Sequence, residues 1–341
     1  MKYILVAGGS GGHIYPCLSL AKYLHDKGES VLLIGALNSM EETIYKNSGL
    51  EFYLLNINKK KVKSFVLNYK KIIDIYKDFN PDGVILFGNY ISFSFALMAK
   101  KMKIPIYLHE QNIVYGKANK LLGVFAKKIY LSLPIKHNIY KKKSLLVGNP
   151  KSDYQKKNKV SLNDGYNVFI VMGSLGSSSI NKMLLELIAI SNKNINYHIV
   201  TGKKHYDDFI KRINKKDNIY VYPYIEQLLD YTSECDLFVS RSGATTLLEI
   251  INYKIPSILI PSPYVANNHQ YKNAMYLENH NAAYVLEEKH LTSYKLEKMI
   301  EEIVFDDKKR DRLRCNLSLI QSINSKEKIY KDLVNNEGRV L

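Results

Sequence analysis

Cysteine is scarce and scattered. The 341 residues hold three, Cys17, Cys235 and Cys315, with no Cys-x-x-Cys pair and no His/Cys cluster at metal-ligand spacing. That usage argues against a disulfide framework and against a structural zinc site, and it fits a reducing cytoplasm. Long apolar runs are missing too, since no stretch approaches the roughly 18 consecutive apolar residues of a spanning helix. A strand signal begins within two residues of Met1, with no basic leader and no small-residue cleavage site. The chain is therefore expected to be neither secreted nor transmembrane. No Gly-Lys-Ser/Thr closes a glycine turn, which removes the lysine and hydroxyl that nucleotide hydrolysis requires. No Asp-x-Asp pair of the kind that carries a metal-bound nucleotide occurs either. Neither a metal nor a cofactor is expected.

What is present suits a soluble globular protein of two ordinary domains, at 46% hydrophobic and 24% charged residues. The net charge of +17 is unevenly placed. Residues 1–152 hold 23 Lys against 9 Asp and Glu, a net of +14, and the remainder holds 26 Lys and Arg against 23 Asp and Glu, a net of +3. A compositional bias acting on the whole chain would not spare one half, so the asymmetry reads as an electrostatic face.

Apolar β-branched runs alternate with helical stretches. Tyr3–Ala7, Val31–Ile34, Gly83–Phe87 and Ile104–Leu108 read as buried strands with helices between them, the parallel doubly wound pattern. After a polar, lysine-rich stretch near 152–165 the pattern starts over. Val168–Met172 runs into Gly173-Ser174-Leu175-Gly176-Ser177 and a helix from Asn181, followed by strands at Tyr197–Val200, Leu237–Val239 and Ile258–Ile260. The expected fold class is α/β, with two Rossmann-like doubly wound domains facing across a cleft. Residues 1–152 form one, with a C-terminal helix near 326–341 able to pack back on it, and residues 165–325 form the other.

Gly8-Gly9-Ser10-Gly11-Gly12-His13 links the first strand to the first helix, and such a loop brings backbone N–H groups and a positive dipole end to an anion. A dinucleotide site is excluded: Ile14 stands at the third glycine position, and the second strand ends in Gly35-Ala36 rather than an acid. The more specific constellation is Ser240 to Glu249. Ala244, Thr245 and Thr246 open a helix and can take a phosphate, while Glu249, about one turn on, can accept from two vicinal ribose hydroxyls. A capped surface helix is the competing reading. The amide-rich stretch Asn267 to Ala274, which includes His269 and Gln270, suits a neutral sugar.

Five segments carry a resemblance: Gly8 to Pro16, His109-Glu110-Gln111-Asn112, Gly148-Asn149-Pro150, Ser240 to Glu249, and Asn267 to Ala274. Together they resemble the signature blocks of the MurG family of bacterial UDP-N-acetylglucosamine transferases, in order and spacing, over nearly the whole chain. The resemblance implies the two-domain GT-B fold. It also implies transfer of N-acetylglucosamine from UDP-N-acetylglucosamine to undecaprenyl-pyrophosphoryl-N-acetylmuramyl-pentapeptide, lipid I, to give lipid II. It places Ser10, Gly11, Gly12 and Asn112 toward the donor from the N-terminal side, Ser174 at the pyrophosphate and Ile225 beside the uracil. Ala244 to Thr246 fall near the phosphates, Glu249 on the ribose and Gln270 on the sugar. The chain departs from the family pattern at Ser152, where an arginine is common, at Leu175-Gly176-Ser177, and at His269, where a second glutamine is often seen.

Inversion at the anomeric carbon calls for a base on the acceptor hydroxyl and a stabilised leaving group. His13, with an ordinary pKa near ~6.5, is the leading candidate base, the alternative being that it caps its helix or binds the acceptor pyrophosphate. Glu110 is a second, weaker candidate, the alternative being that it or His109 orients the Asn112 loop. Residues 59–79 set Lys59 to Lys61, Lys63, Lys70, Lys71 and Lys77 beside Phe65, Ile72, Ile73, Tyr76 and Phe79. This segment can lie on an anionic inner-leaflet membrane surface or pack its apolar side on the sheet. With Lys100-Lys101, Lys127-Lys128 and Lys141 to Lys143 in the same half, peripheral binding at the cytoplasmic face is expected. Another GT-B enzyme, such as a UDP-sugar:diacylglycerol transferase or a UDP-N-acetylglucosamine 2-epimerase, would share the donor site. No nucleic-acid module or stacking motif is present, and no nucleic-acid partner is expected.

Overall fold

The computed structural model describes residues 1–57, 68–153, 160–172, 178–214, 216–320 and 322–336. The chain divides into two compact units, Met1–Tyr154 with Ile323–Leu341, and Gln155–Ser322.

In the first unit the strands are β1 (Lys2–Val6), β2 (Ser30–Ala36), β3 (Phe52–Leu55), β4 (Gly83–Leu86), β5 (Ile106–Glu110), β6 (Lys128–Leu131) and β7 (Ser144–Leu146). They form one sheet in the order β3-β2-β1-β4-β5-β6-β7, every neighbour parallel. The helices are α1 (Gly11–Asp26), α2 (Met40–Lys46), α3 (Tyr69–Phe79), α4 (Tyr90–Lys101) and α5 (Lys117–Leu122). Side chains alternate across β1: Ile4 and Val6 join one apolar cluster, and Tyr3 and Leu5 join another on the opposite face. α1 buries Ile14, Cys17, Ala21 and Leu24, one stripe at helical spacing, against the second cluster.

The second unit repeats the scheme with β8 (Tyr166–Val171), β9 (Ile195–Val200), β10 (Ile219–Tyr222), β11 (Leu237–Ser240), β12 (Ser257–Leu259) and β13 (Tyr284–Val285). Their order is β10-β9-β8-β11-β12-β13, again parallel. Its helices are α6 (Ser178–Ile190), α7 (Tyr206–Arg212), α8 (Leu228–Thr232), α9 (Ala244–Tyr253), α10 (His269–Glu278), α11 (Ser293–Val304) and α12 (Asp307–Ser318). The two parallel-sheet α/β domains read from the sequence are thus present. Strand order reverses beside β1 in one sheet and beside β8 in the other, which is where open α/β sheets bind ligands at the strands' carboxyl ends.

One expectation is corrected. The described part of the lysine-rich segment is α3, which buries Ile72, Ile75 and Tyr76 and packs Ile73 and Phe79 on the domain core. Its exposed residues are Tyr69, the three lysines, Asp74 and Asp78, so its apolar stripe is not available to a membrane. Residues 59–67, with Phe65, lie outside the described residues.

The last helix, α13 (Ser325–Asn336), belongs to the first unit. Asp153 accepts hydrogen bonds from Ser325 N (3.0 Å) and Lys326 N (2.7 Å), placing a carboxylate on the helix N-terminus. Ile329 and Leu333, both fully buried, join the cluster around α1 and β1, while Tyr130 Oη donates to Asp332 at 2.9 Å. Leu333→Ala is expected to cost about 2–5 kcal/mol of stability, read by urea denaturation, because it opens a cavity under this helix. A loss below about 0.5 kcal/mol would mean the helix is not part of the cooperative core.

Candidate active site

At the carboxyl edge of the first sheet, β1 is followed by Ala7, Gly8 and Gly9, and Ser10 is the N-cap of α1. The carbonyl of Ser10 accepts from His13 N (3.0 Å) and Ile14 N (3.2 Å). Its side chain makes no capping bond. The N–H groups of Gly11 and Gly12 stand at the open end of the helix, as the first donors of any helix do. His13 is half-buried in that first turn. Gly88 comes shortly after β4 at φ +91°, a conformation that favours glycine, and its Cα side faces His13 and Asn119: a Cβ there would be in ordinary contact, 3.4 Å from His13 Cε1 and 3.5 Å from the amide of Asn119.

His109 and Glu110 end β5 and are both buried. His109 Nε2 meets the Gly148 carbonyl at 3.3 Å and Nδ1 meets Gln111 Nε2 at 3.2 Å, so the ring is a neutral Nε2–H tautomer donating to the one and accepting from the other. Burial pushes its pKa down to about 3, helped by the nearby His13 and opposed by the Gly148 bond. Glu110 spends both oxygens on the segment that follows. Oε1 accepts from Asn112 N (3.0 Å) and Nδ2 (3.4 Å), and Oε2 from Gly116 N (2.9 Å) and Asn119 Nδ2 (2.9 Å). At roughly 1.5–3 kcal/mol for each bond to a charged group, this network fixes Asn112 and Asn119 rather than leaving a carboxylate for chemistry. Ser152 is buried in the turn after Gly148, its Oγ donating to the Asn149 carbonyl at 2.8 Å, and supplies no cation.

In the second unit β11 feeds α9 through Arg241, Ser242 and the N-cap Gly243. Arg241 pairs with Glu288 at 2.7 Å and donates to the Ile260 carbonyl at 3.2 Å, tying the exits of β11 and β12 together. Ala244, Thr245 and Thr246 form the first turn of α9, and Glu249 follows Thr245 by one turn on the same face, half-buried. α10 begins after Asn267 and Asn268, both at positive φ (56° and 49°). Ser242 Oγ donates to the Gln270 carbonyl (2.8 Å) and Asn273 Nδ2 to the Ser242 carbonyl (3.2 Å), so the two helix starts are fastened to each other. Gln270 Oε1 accepts from Ser262 N at 2.9 Å, which anchors the side chain at the start of α10. His269 bonds its own turn through Ala266 O at 2.8 Å. Ile225 is half-buried just after β10. Ser174 and Leu175 lie outside the described residues.

The structure thus gathers Ser10, Gly11, Gly12, His13, Glu110 and Asn112 on one sheet edge, and Ala244, Thr245, Thr246, Glu249 and Gln270 on the other sheet's corresponding edge. Sequence reading missed Gly88 and Asn119: a glycine at the end of a strand was the available signal for the first, and Asn119 gave none.

A second buried histidine, His198 in β9, is stacked on Phe169 and Tyr220 and held neutral, its pKa lowered to about 4 by burial. Between these folded values and the ordinary 6.5 the unfolded chain binds protons that the folded chain does not. Stability from this source is complete above pH ~6.5 and falls as the pH drops toward 4. Urea unfolding at pH 7, 5.5 and 4 should show that loss. His109→Gln should flatten it in the first unit and His198→Gln in the second; an unchanged slope in both variants contradicts the assignment.

Family models agree with this layout. The glycosyltransferase family 28 N-terminal domain matches residues 3–131, and the family 28 C-terminal domain matches residues 167–332. The UDP-N-acetylglucosamine–N-acetylmuramyl-(pentapeptide) pyrophosphoryl-undecaprenol N-acetylglucosamine transferase of Thermoanaerobacter sp. is 33% identical, covering 97% of this chain and 98% of its own. The like-named protein of Oenococcus oeni is 35% identical over 98% of this chain and 97% of its own. Among solved structures, MurG of Acinetobacter baumannii superposes with a TM-score of 0.82 at 23% identity, covering 98% of this chain and all of that one, a likeness of fold. The chain belongs to glycosyltransferase family 28, in the family of UDP-N-acetylglucosamine–N-acetylmuramyl-(pentapeptide) pyrophosphoryl-undecaprenol N-acetylglucosamine transferases.

Proposed function

We propose that this protein moves N-acetylglucosamine from UDP-N-acetylglucosamine to the C4 hydroxyl of N-acetylmuramyl-pentapeptide pyrophosphoryl-undecaprenol, inverting the anomeric carbon. The observation that carries the reading is the start of α9, where a helix N-terminus, Glu249 one turn on, and the anchored amide of Gln270 make consecutive contacts for phosphate, ribose and sugar. Ile225 flanks the uracil, and Ser174 assists at the pyrophosphate. On the first unit, Ser10, Gly11, Gly12 and Asn112 address the acceptor's diphosphate and the transferred sugar. All four were expected on the donor, and their role is widened here to the acceptor.

His13 takes the proton from the acceptor hydroxyl. The oxygen then bonds to the anomeric carbon as the bond to UDP breaks, and the electron pair leaves on the β-phosphate. The α9 N-terminus stabilises that developing charge, so the reaction needs no metal. His109 is no rival base, because its Nδ1 is occupied and its ring buried. Glu110 acts as a positioning group through Asn112 and Asn119.

Incubation of labelled UDP-N-acetylglucosamine with a lipid I analogue in EDTA should yield a disaccharide lipid and UDP; epimerised or hydrolysed donor without transfer would overturn the reading. His13→Ala should lower kcat at least ~10²-fold with the donor KM little changed. Glu249→Ala should instead raise the donor KM about 10-fold or more, as loss of bonds to a charged group implies. A nearly unaltered kcat in His13→Ala removes it from the role of base.

The same reading places the first unit on an anionic membrane surface. Support comes from an exposed apolar group different from the one first considered. Leu121 and Val124 are 63% and 64% exposed, and Leu97 is exposed on α4, which packs against α5. Ile139 is exposed next to Tyr140, whose hydroxyl donates to the Lys120 carbonyl, and Lys100 lies 3.9 Å from the Phe125 ring centroid. Lys101, Lys120, Lys127 and Lys141 to Lys143 add charge around these elements. Leu121→Glu with Val124→Glu should reduce co-sedimentation with vesicles containing anionic lipid and leave transfer to a short-chain soluble acceptor intact. Vesicle binding indifferent to anionic lipid and salt would overturn the surface role.

A further inference from the structure

Resting on that reading, we infer that Glu41 is a positioning residue for the acceptor side of the site, acting through the glycine turn on His13. It stands in the first turn of α2, far in sequence from the loop it serves, and is 1% exposed. Its Oε1 accepts the Gly9 N–H at 2.7 Å. Gly9 is at φ +84°, a conformation glycine adopts freely, so the carboxylate clamps a residue whose backbone has many alternatives.

The space for this carboxylate is made by missing side chains. A Cβ on Gly8 would lie 2.5 Å from Glu41 Oε1, and a Cβ on Gly35 would lie 2.8 Å from Glu41 Cβ. On Gly9 it would lie 2.3 Å from Asn89 Nδ2. Three glycines from two strand exits therefore admit one glutamate and one asparagine. Glu41 Oε2, equally buried, has no hydrogen-bond partner among the described residues. A buried carboxylate with one oxygen unsatisfied is a poor device for stability alone, since its desolvation is only half compensated. Its effect is on placement. By holding Gly9 it sets where Ser10 caps α1, and through Ser10 O, which His13 N engages at 3.0 Å, where the imidazole begins.

The test compares Glu41→Ala, which removes the acceptor oxygen, with Glu41→Gln, which keeps it. In the substrate-free protein, hydrogen–deuterium exchange over residues 8–14 should accelerate about 10-fold or more in Glu41→Ala and stay near the wild-type rate in Glu41→Gln. In the transfer assay, Glu41→Ala should lower kcat/KM for the lipid I analogue about 10-fold or more while the UDP-N-acetylglucosamine KM stays within about 2-fold, and Glu41→Gln should restore most of the loss. Gly8→Ala, which displaces the carboxylate from the other side, should reproduce the acceptor-selective loss if Glu41→Ala does not fold. Unchanged exchange in Glu41→Ala, or a loss that falls mainly on the UDP-N-acetylglucosamine KM, overturns the inference. Failure of the wild-type protein to use lipid I defeats the functional reading instead, and the exchange measurement still decides whether Glu41 holds the turn.

Discussion

Parallel pairing of every strand is the constraint on which the rest depends. A parallel neighbour can be reached only by carrying the chain back from the carboxyl edge to the amino edge, so every crossover leaves from the same side of its sheet. In the first unit that side receives Gly8 to Gly12 after β1, Phe87 to Asn89 after β4, and Gln111 and Asn112 after β5. In the second it receives Arg241 to Gly243 after β11 and Pro261 to Asn268 after β12. Helices begin there with unsatisfied N–H groups, and the polar residues that would weaken a strand interior can be used at its exit. The site is a consequence of topology before it is a consequence of any one side chain.

Polar groups crowded at such an edge must be hydrogen-bonded or they destabilise the fold. The first sheet meets this by making its buried groups partners of one another. Gln111 bonds His109, His109 bonds the Gly148 carbonyl, and Glu110 gathers Asn112, Gly116 and Asn119. Each bond formed in this way withdraws a group from acid–base work. His109 and Glu110 look catalytic in sequence because of their residue types, yet their neighbours hold one neutral and the other fully engaged. His13, half-buried in the first turn of α1, is placed differently, and on the proposed reading it is the group that takes the acceptor's proton.

Legibility from sequence followed burial. β1, β4, β8 and β11, covered on both faces, are continuous apolar runs and were readable to within a residue or two. β3, β7, β10 and β13 lie toward the sheet edges, are only partly buried, and gave no run to read. α3 was read toward a membrane because an apolar stripe flanked by lysines is the same pattern whether it meets lipid or a sheet; Ile72 and Tyr76 show that it meets the sheet. Helix starts at Ser240 to Glu249 and Asn267 to Ala274 were legible because glycine, serine and amides mark them locally. The link between them, Ser242 to Gln270 and Asn273 to Ser242, was not, since nothing local encodes a bond across about 30 residues of chain.

The two glycine-edged helix starts differ in a way that bears on which substrate each takes. At α9 no acidic residue stands in the first turn, and Glu249 comes only a turn later, where a ribose rather than a phosphate would reach it. At α1 a buried carboxylate already occupies the Gly9 N–H. With the Gly9 N–H already taken, the N–H groups of Gly11 and Gly12 are the open donors at this end of α1. The surrounding domain, at a net +14 over residues 1–152, attracts anions at longer range. On the proposed reading a nucleotide diphosphate is therefore held at α9. The first loop is suited to a ligand whose diphosphate can sit farther along the helix while its sugar hydroxyl meets His13, which is how a lipid-linked sugar diphosphate would approach it.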